Sequence, residues 1–449
     1  MLEWERLARR YDENAIPLYL SYPVETYWKQ TVDAGIYANS LNRNDFSFLY
    51  VHFPFCRKMC HYCLCYHEAL RKVEDIDVYI QYLIKEIDLK LTLAGITGKL
   101  HIRHMHWGGG TPTLLTPRQI ETVHRAITDR VDFVSDEDNE FSLEAYPDEN
   151  MITKDKLVLL RHLGFNTISF GVQEFDERVQ RLINREVKPD VVHSLIALAR
   201  ELGFRVHVDL CYGLPFQGLN ELERTLLEIL KCQPFRIALN PYTHNSFVFP
   251  RQKLIPNSSV PNSFMKIMLA LLADRVLTQS GYVKLGFDQY IRPEDPFFDS
   301  LQRQSIRSLM GYSQNDKVTF LGCGATAISF VDSSYYMNSA RLEDYLRQID
   351  EGCVPLEGKR CYRYNEDDRI RSQLIQKCIL TQCIIDKKEC AREFDVDFDR
   401  YFAGEITELA RHEKDGLVDL RDPDAIRITE RGKYFSRHIA HVFDTFYTH

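Results

Sequence analysis

Four cysteines fall within ten residues, in the run Tyr50-Val-His-Phe-Pro-Phe-Cys-Arg-Lys-Met-Cys-His-Tyr-Cys-Leu-Cys. The first three, Cys56, Cys60 and Cys63, have the spacing C-x3-C-x2-C. Three thiolates on one short loop can hold three irons of a [4Fe–4S] cluster and leave the fourth iron open. Clusters that only relay electrons use four cysteines, so an open iron points to a cluster that binds a substrate-like ligand. Two blander readings compete. His61 and His67 stand close enough in sequence to complete a zinc site, but zinc knuckles favour paired C-x2-C units. Disulfides fit poorly with twelve widely spread cysteines and no secretory signal at the start; such usage suits a reducing, cytoplasmic setting. The remaining eight cysteines read as small core residues and suggest no second cluster. Cys65 lies too near Cys63 to be an obvious fourth ligand and reads as a residue that shapes the loop.

The ligand of such an open iron is S-adenosylmethionine (SAM), gripped through its amino and carboxylate groups, and C-x3-C-x2-C is the signature of radical SAM enzymes. Several other residues have the chemistry to hold it. Trp107-Gly-Gly-Gly-Thr-Pro112 contains Gly109, Gly110 and Thr111; glycines let backbone pass close to a ligand and expose its polar groups, here toward the amino group of SAM. Alone, the run would be only a tight turn. Glu144 can accept hydrogen bonds from a ribose or amine, or face a cationic sulfonium; its alternative is a surface charge. Asp209 lies on a strand, where a buried carboxylate is costly unless paired or ligand-bound. It and Arg185 form either a structural ion pair or, on the functional face, a SAM grip. Gln173 follows the same strand as Arg185. Tyr50 packs on a substrate or fills the barrel mouth. Leu321–Ser329 is a second glycine-bearing turn able to cover a ligand with backbone donors.

These residues need a scaffold, and the hydrophobic pattern supplies one. Strands are expected at 46–53, 104–107, 140–145, 167–171, 205–210 and 236–239, alternating with helices at 75–93, 117–127, 154–163, 190–202 and 219–230. Six alternating strands imply a parallel sheet, too few for a closed eight-stranded barrel. The expected fold is α/β, an open three-quarter (β/α)6 radical SAM barrel, with the site at the carboxyl ends of its strands. Residues 1–44 form an N-terminal arm, with Ile16–Pro23 extended because two prolines bracket two tyrosines. Residues 45–300 form the barrel. Residues 301–449 form a mostly helical, winged-helix-like C-terminal domain covering the active site, with helices at 342–349, 367–382, 398–411 and 430–443 and a hairpin between the last two. Net charge is −8, and no basic face is evident. Nucleic acid is therefore not an expected partner, and no apolar run is long enough for a membrane span.

The cysteine loop with Cys65, together with His106-Trp-Gly-Gly-Gly-Thr-Pro-Thr113, Phe170-Gly-Val-Gln173, Val179-Gln-Arg-Leu-Ile-Asn-Arg-Glu186, Asp209-Leu-Cys-Tyr-Gly-Leu-Pro215, Gly311-Tyr312, Leu321–Ser329, Lys414-Asp-Gly-Leu-Val-Asp419 and Phe443-Asp-Thr-Phe-Tyr447, resembles the oxygen-independent coproporphyrinogen III oxidases from about residue 8 to the C-terminus. The resemblance implies that Cys56, Cys60 and Cys63 ligate the cluster. The reduced cluster then cleaves SAM to methionine and a 5′-deoxyadenosyl radical, which abstracts hydrogen from a propionate that loses CO2 and becomes a vinyl group. It also implies two SAM molecules. The first would contact Gly109, Gly110, Glu144, Gln173, Arg185 and Asp209. The second would lie near Tyr50, Glu144 and Ile328, with Tyr50 and Glu144 as the catalytic candidates. The implied partners are a small-molecule substrate, a porphyrinogen or another, and a one-electron donor such as flavodoxin or ferredoxin, acting on a monomer.

The departures from that pattern concern the same region. Leu309 and Met310 stand where the oxidases have Phe-Gln, so an amide is replaced by a weak acceptor. Tyr146 replaces an aspartate and Gln289 a histidine. Leu18 replaces an arginine, removing bidentate carboxylate recognition. These leave open a relative that uses its second SAM for methyl transfer or cyclopropane formation on a non-porphyrin substrate. A heme-binding chaperone is the non-enzymatic alternative, against which Cys65 argues.

Overall fold

The structure is a computed structural model that describes residues 2–12, 16–42, 45–134, 139–313 and 318–447. Six parallel strands carry the centre: β1 (Asp45–Phe53), β2 (Leu100–Gly109), β3 (Phe141–Ala145), β4 (Thr167–Gln173), β5 (Arg205–Tyr212) and β6 (Arg236–Pro241). They lie side by side in chain order, each parallel to the next. Two short antiparallel strands, β7 (Val283–Leu285) and β8 (Gln289–Ile291), extend the sheet beyond β6. On the other edge β9 (Phe320–Cys323) pairs parallel with β1, and β10 (Ile328–Val331), β11 (Ser334–Asn338) and β12 (Leu356–Arg363) follow antiparallel.

The sequence dictates each connection locally. Helix α3 (Glu74–Leu93) opens on Glu74, Asp75 and Asp77, which suit a helix N-terminus. Helix α4 (Pro117–Thr128) has proline at its first position and a Thr116–Gln119 capping box. Helices α5 (Lys154–His162), α7 (Pro189–Glu201) and α8 (Leu219–Leu230) close the remaining crossovers, α6 being the short Glu177–Ile183. The strand period of two then splits each strand by function. On β4, Ile168, Phe170 and Val172 are fully buried against the helices, as are Val206, Val208 and Leu210 on β5. Their neighbours Ser169, Gly171, His207 and Asp209 face inward. Register aligns Tyr50 with His106, His106 with Ser142, Glu144 with Ser169, and Gly171 with Asp209.

The N-terminal arm differs from the expected extended chain. It contains helices α1 (Leu2–Arg10) and α2 (Ala34–Leu41), while Ile16–Pro23 between them is non-helical. Leu7, Ala8, Tyr11, Tyr19 and Tyr22 are buried in the same hydrophobic cluster as Phe402, Phe435, Ile439 and Phe443 from the other end of the chain. Asp415 accepts from Tyr11 at 2.8 Å and pairs with Arg6 and Arg10. In the C-terminal segment, the helix expected at 367–382 changes hydrogen-bonding pattern at Gln373 and continues as a π-helix to Gln382. The expected hairpin gains a third strand, Ile384–Asp386, giving the order Ile384–Asp386, Ala425–Ile428, Val418–Asp419. No helix among the described residues is long and apolar enough to cross a membrane.

Candidate active site

The cysteine loop leaves β1 at Phe53 and is held on both flanks. His61 donates its backbone N–H to Ile183 O at 2.9 Å, and Asn184 donates to Met59 O at 2.8 Å. Asn184 adopts a left-handed conformation at the end of α6, turning the chain so that Arg185 points back at the loop. Arg185 Nη1 lies 3.5 Å from Cys60 Sγ, while Nη2 donates to Gly171 O. Its Nε is buried without a hydrogen-bond partner. Arg185 and Asp209 therefore do not form the structural ion pair: Asp209 accepts from Ser169 at 2.8 Å instead. Cys56 Sγ is 3.5 Å from Thr111 Oγ1. Burial pushes the Cys56 thiol up to about 11, so it needs a cationic partner to ionise. Iron supplies one, and a guanidinium beside Cys60 suits an anionic thiolate cluster. The donor set of Cys56, Cys60 and Cys63 fits a cluster.

The glycine run closes the gap between this loop and the barrel. Gly110 N–H donates to Phe53 O at 2.7 Å. A Cβ on Gly110 would meet Phe55 O at 2.6 Å and Phe53 O at 2.9 Å, and one on Gly109, whose φ is +111°, would meet the His52 ring. These glycines are required by close packing against β1, whatever their backbone groups bind. Gly110→Ala is expected to destabilise the chain by roughly 2 to 3 kcal/mol, because backbone oxygens cannot move aside as a side chain can. Chemical denaturation checks this, and an unchanged midpoint would contradict it.

Behind the glycines is a cavity of about 840 Å3 inside the barrel, within the range of small-molecule sites. Tyr50, Gly109, Glu144, Asp209 and Ile328 line it, as do Leu309, Met310 and Gln289. Gly110, Thr111, Gln173 and Arg185 lie outside its lining, toward the cysteine loop. Leu18 and Tyr146 are also outside; Tyr146 packs under Arg185, 4.6 Å from the guanidinium, and donates to Glu186 O. Glu144 lies at the junction. Its Oε2 accepts from Gly109 N–H at 3.2 Å, and His106 Nε2 approaches Oε1 at 3.4 Å.

Several inward side chains were not singled out by motif. His52 Nε2 faces Tyr66 O at 3.2 Å, and a carbonyl only accepts, so Nε2 carries the proton. Nδ1 therefore accepts from the Tyr50 hydroxyl at 2.9 Å. Burial lowers His52 to about 4 and raises Tyr50 well above its usual value, so both stay neutral near pH 7. His106 stacks beside Tyr50, with ring centroids 5.9 Å apart. His207 lines the cavity with a buried, unpartnered Nε2. Arg236 and Arg307 enter the wall with their forks held by Asp295 and Asp288 at 2.8 to 3.0 Å. The detectable signal was polar residues at alternate positions of otherwise apolar strands. The turn bearing Ile328 is fixed by a buried pair on α3: Glu86 binds Lys90 at 2.6 Å and accepts from Gly324 N–H, Asn338 and Tyr345, each at 2.7 Å.

Burial, reinforced by the Glu144 carboxylate, pushes Asp209 up to about 6. The unfolded chain releases this proton near pH 4. Between those values the folded state binds more protons, so stability falls as pH rises and the cost is complete above pH 6, on the order of 3 kcal/mol. Asp209→Asn is expected to melt higher than the parent near pH 7 without added ligand, and to lose that advantage toward pH 4. A pH series of thermal melts checks both points.

The radical SAM superfamily model matches residues 50–229. The oxygen-independent coproporphyrinogen III oxidase of Synechocystis sp. is 34% identical over 98% of this chain and 94% of its own length. The chain belongs to the oxygen-independent coproporphyrinogen III oxidase family. The family member from Escherichia coli is likewise 34% identical, over 99% of this chain and 96% of its own. The solved structure of coproporphyrinogen III oxidase from Escherichia coli, a radical SAM enzyme, matches with a TM-score of 0.84 and 32% identity, covering 96% of this chain and all of that one. The family fold thus extends through both ends of the chain.

Proposed function

We propose that this chain is a radical SAM oxidoreductase that oxidatively decarboxylates propionate side chains of coproporphyrinogen III to vinyl groups in heme biosynthesis. The single observation carrying this reading is likeness over the whole length, arm and C-terminal segment included, to coproporphyrinogen III oxidases. When bound, the reduced cluster and SAM supply the 5′-deoxyadenosyl radical. The protein's part is to hold and shield. Cys56, Cys60 and Cys63 ligate, and Arg185 neutralises the thiolate charge. Gly109, Gly110, Thr111, Gln173 and Asp209 hold one SAM. Tyr50 and Ile328 border a second, with Glu144 between them. The Tyr50–His52 pair is neutral and adds no charge to the site. Arg236 and Arg307 line the wall with their forks already held by Asp295 and Asp288, and the unpartnered His207 Nε2 offers a polar contact. The arm, the 45–300 barrel and the 301–449 segment together enclose the reaction, and a one-electron donor such as flavodoxin or ferredoxin primes it.

The test is anaerobic: reconstituted enzyme, SAM, reductant and coproporphyrinogen III, followed by mass spectrometry. Loss of two CO2 units with matching 5′-deoxyadenosine is expected; 5′-deoxyadenosine with unchanged porphyrinogen would overturn the substrate assignment. Leu309 and Met310 make the adjoining wall apolar. Leu309→Phe with Met310→Gln places an amide there and is expected to raise porphyrinogen turnover several-fold, a barrier lower by about 1 kcal/mol for one added hydrogen bond. Steady-state kinetics read this directly.

A further inference from the structure

The loop from Thr243 to Val260 carries three exposed apolar side chains: Phe247 at 97% exposure, Val248 at 52% and Leu254 at 60%. Its inner side is anchored. Gln252 is buried, donating to Thr243 O at 3.0 Å and accepting from Asn245 N–H at 2.6 Å. Asn245 in turn caps the backbone of Phe247 and Val248 at 3.2 Å. The loop touches the cysteine loop directly. Arg251 donates to His67 Nε2 at 2.9 Å, Gln252 reaches Tyr62 O at 3.4 Å, and Ile255 shares a buried cluster with Tyr62 and Ile183. Phe216, 43% exposed, continues the patch, its backbone bonded to Ser259 O at 2.7 Å and its ring under Arg178.

Charge sets this face apart. Residues 54–67 and 243–262 hold Arg57, Lys58, Arg251 and Lys253 and no aspartate or glutamate, in a chain of net charge −8. Of the neighbouring anions, Glu186 pairs with Lys58 and Glu177 with Arg181. An apolar patch rimmed by cations marks a surface for an acidic protein partner. The cavity takes Leu64, Cys65 and Tyr66 from the other stretch of the same loop, so substrate and partner meet the loop at different residues.

We propose that this face docks an acidic one-electron carrier protein, which reduces the cluster through the cysteine loop. This rests on the reading that Cys56, Cys60 and Cys63 hold the cluster, and it adds where the electron enters. The carrier is oxidised by one electron and the cluster reduced by one, with no proton or group transferred. The probe is flavodoxin, and the variants are Lys253→Glu and the pair Phe247→Ser with Leu254→Ser. Isotope-labelled flavodoxin titrated with the chain is expected to show binding that weakens with added salt and falls about tenfold in each variant. Cluster reduction by reduced flavodoxin should slow by a similar factor, while reduction by dithionite stays at the parent rate. Parent-like binding and parent-like reduction by flavodoxin in both variants would overturn the proposal. So would a dimer in sedimentation that the Phe247 variant dissociates, which would assign the face to a second copy. A chain that binds no iron would instead remove the cluster reading, and the flavodoxin titration, which needs no cluster, would still decide the docking.

Discussion

A Cys60→Ala chain, reconstituted anaerobically with iron and sulfide, is expected to hold no cluster and to release no 5′-deoxyadenosine from SAM. The reason is stoichiometric before it is energetic. Three irons each need a thiolate, and the loop offers Cys56, Cys60 and Cys63. Cys60 is the most enclosed of the three, 7% exposed with Arg185 Nη1 at 3.5 Å. Its removal leaves a buried guanidinium with its Nε already unpartnered, so the site loses a ligand and gains an uncompensated charge. Cleavage should fall by at least about three orders of magnitude, since the radical chemistry has no route without the metal. Cys65→Ala is the internal comparison. Cys65 faces the cavity, and the variant should retain the iron. Iron analysis, visible absorbance and product assay decide the matter together. Cleavage persisting in iron-free protein would remove the foundation of the functional reading.

Glu144→Gln is expected to weaken SAM binding by about tenfold to a hundredfold and to slow cleavage by about two orders of magnitude or more. Glutamine keeps the shape and can still accept from Gly109 N–H, so the fold around β3 should survive. On the proposed SAM contact, what disappears is a negative charge beside a ligand that carries both an ammonium and a sulfonium. Charge-assisted hydrogen bonds are roughly twice as strong as neutral ones, and electrostatic groups aimed at the reacting centre contribute about 3 kcal/mol each. Calorimetric titration with SAM and single-turnover assays separate the two effects. Parent-like affinity would place Glu144 outside the SAM contact and leave it as a support for the Gly109 backbone.

The six-strand frame was legible because each strand and helix announces itself locally. Ile168, Phe170 and Val172 alternate, Thr116 and Gln119 cap, and Pro189 starts a helix. The polar half of that alternation was equally visible in His104 and His106 and in His207 and Asp209, yet only the carboxylate was taken as chemical. Two things were hidden for a physical reason. Helix α1 has few apolar residues, and its face of Trp4, Leu7 and Tyr11 is completed by Phe435 and His412, whose rings lie 5 to 6 Å away but over 400 residues along the chain. The partner of β9 is β1, some 270 residues earlier. Local periodicity carries no record of such a partner. The cysteine and glycine motifs were readable because cluster and ligand chemistry fix their spacing. The enclosure of the cavity by Leu20 and Glu25 of the arm was not readable, because it follows from how distant segments pack.

That packing bears on how the enzyme is made. The arm is made before the barrel, yet Tyr11 bonds Asp415, Tyr19 bonds Asp444 and Tyr22 meets Thr445, residues made after it. Until residues 402–443 are made, the arm's tyrosines and Leu7 have no core to enter, while the barrel can already assemble by neighbour-to-neighbour pairing. The wall that Leu20 and Glu25 give the cavity is therefore the last to close. A nascent chain stalled before residue 415 would carry a complete cysteine loop and an unwalled reaction chamber, and residues 415–445 govern whether the arm protects it.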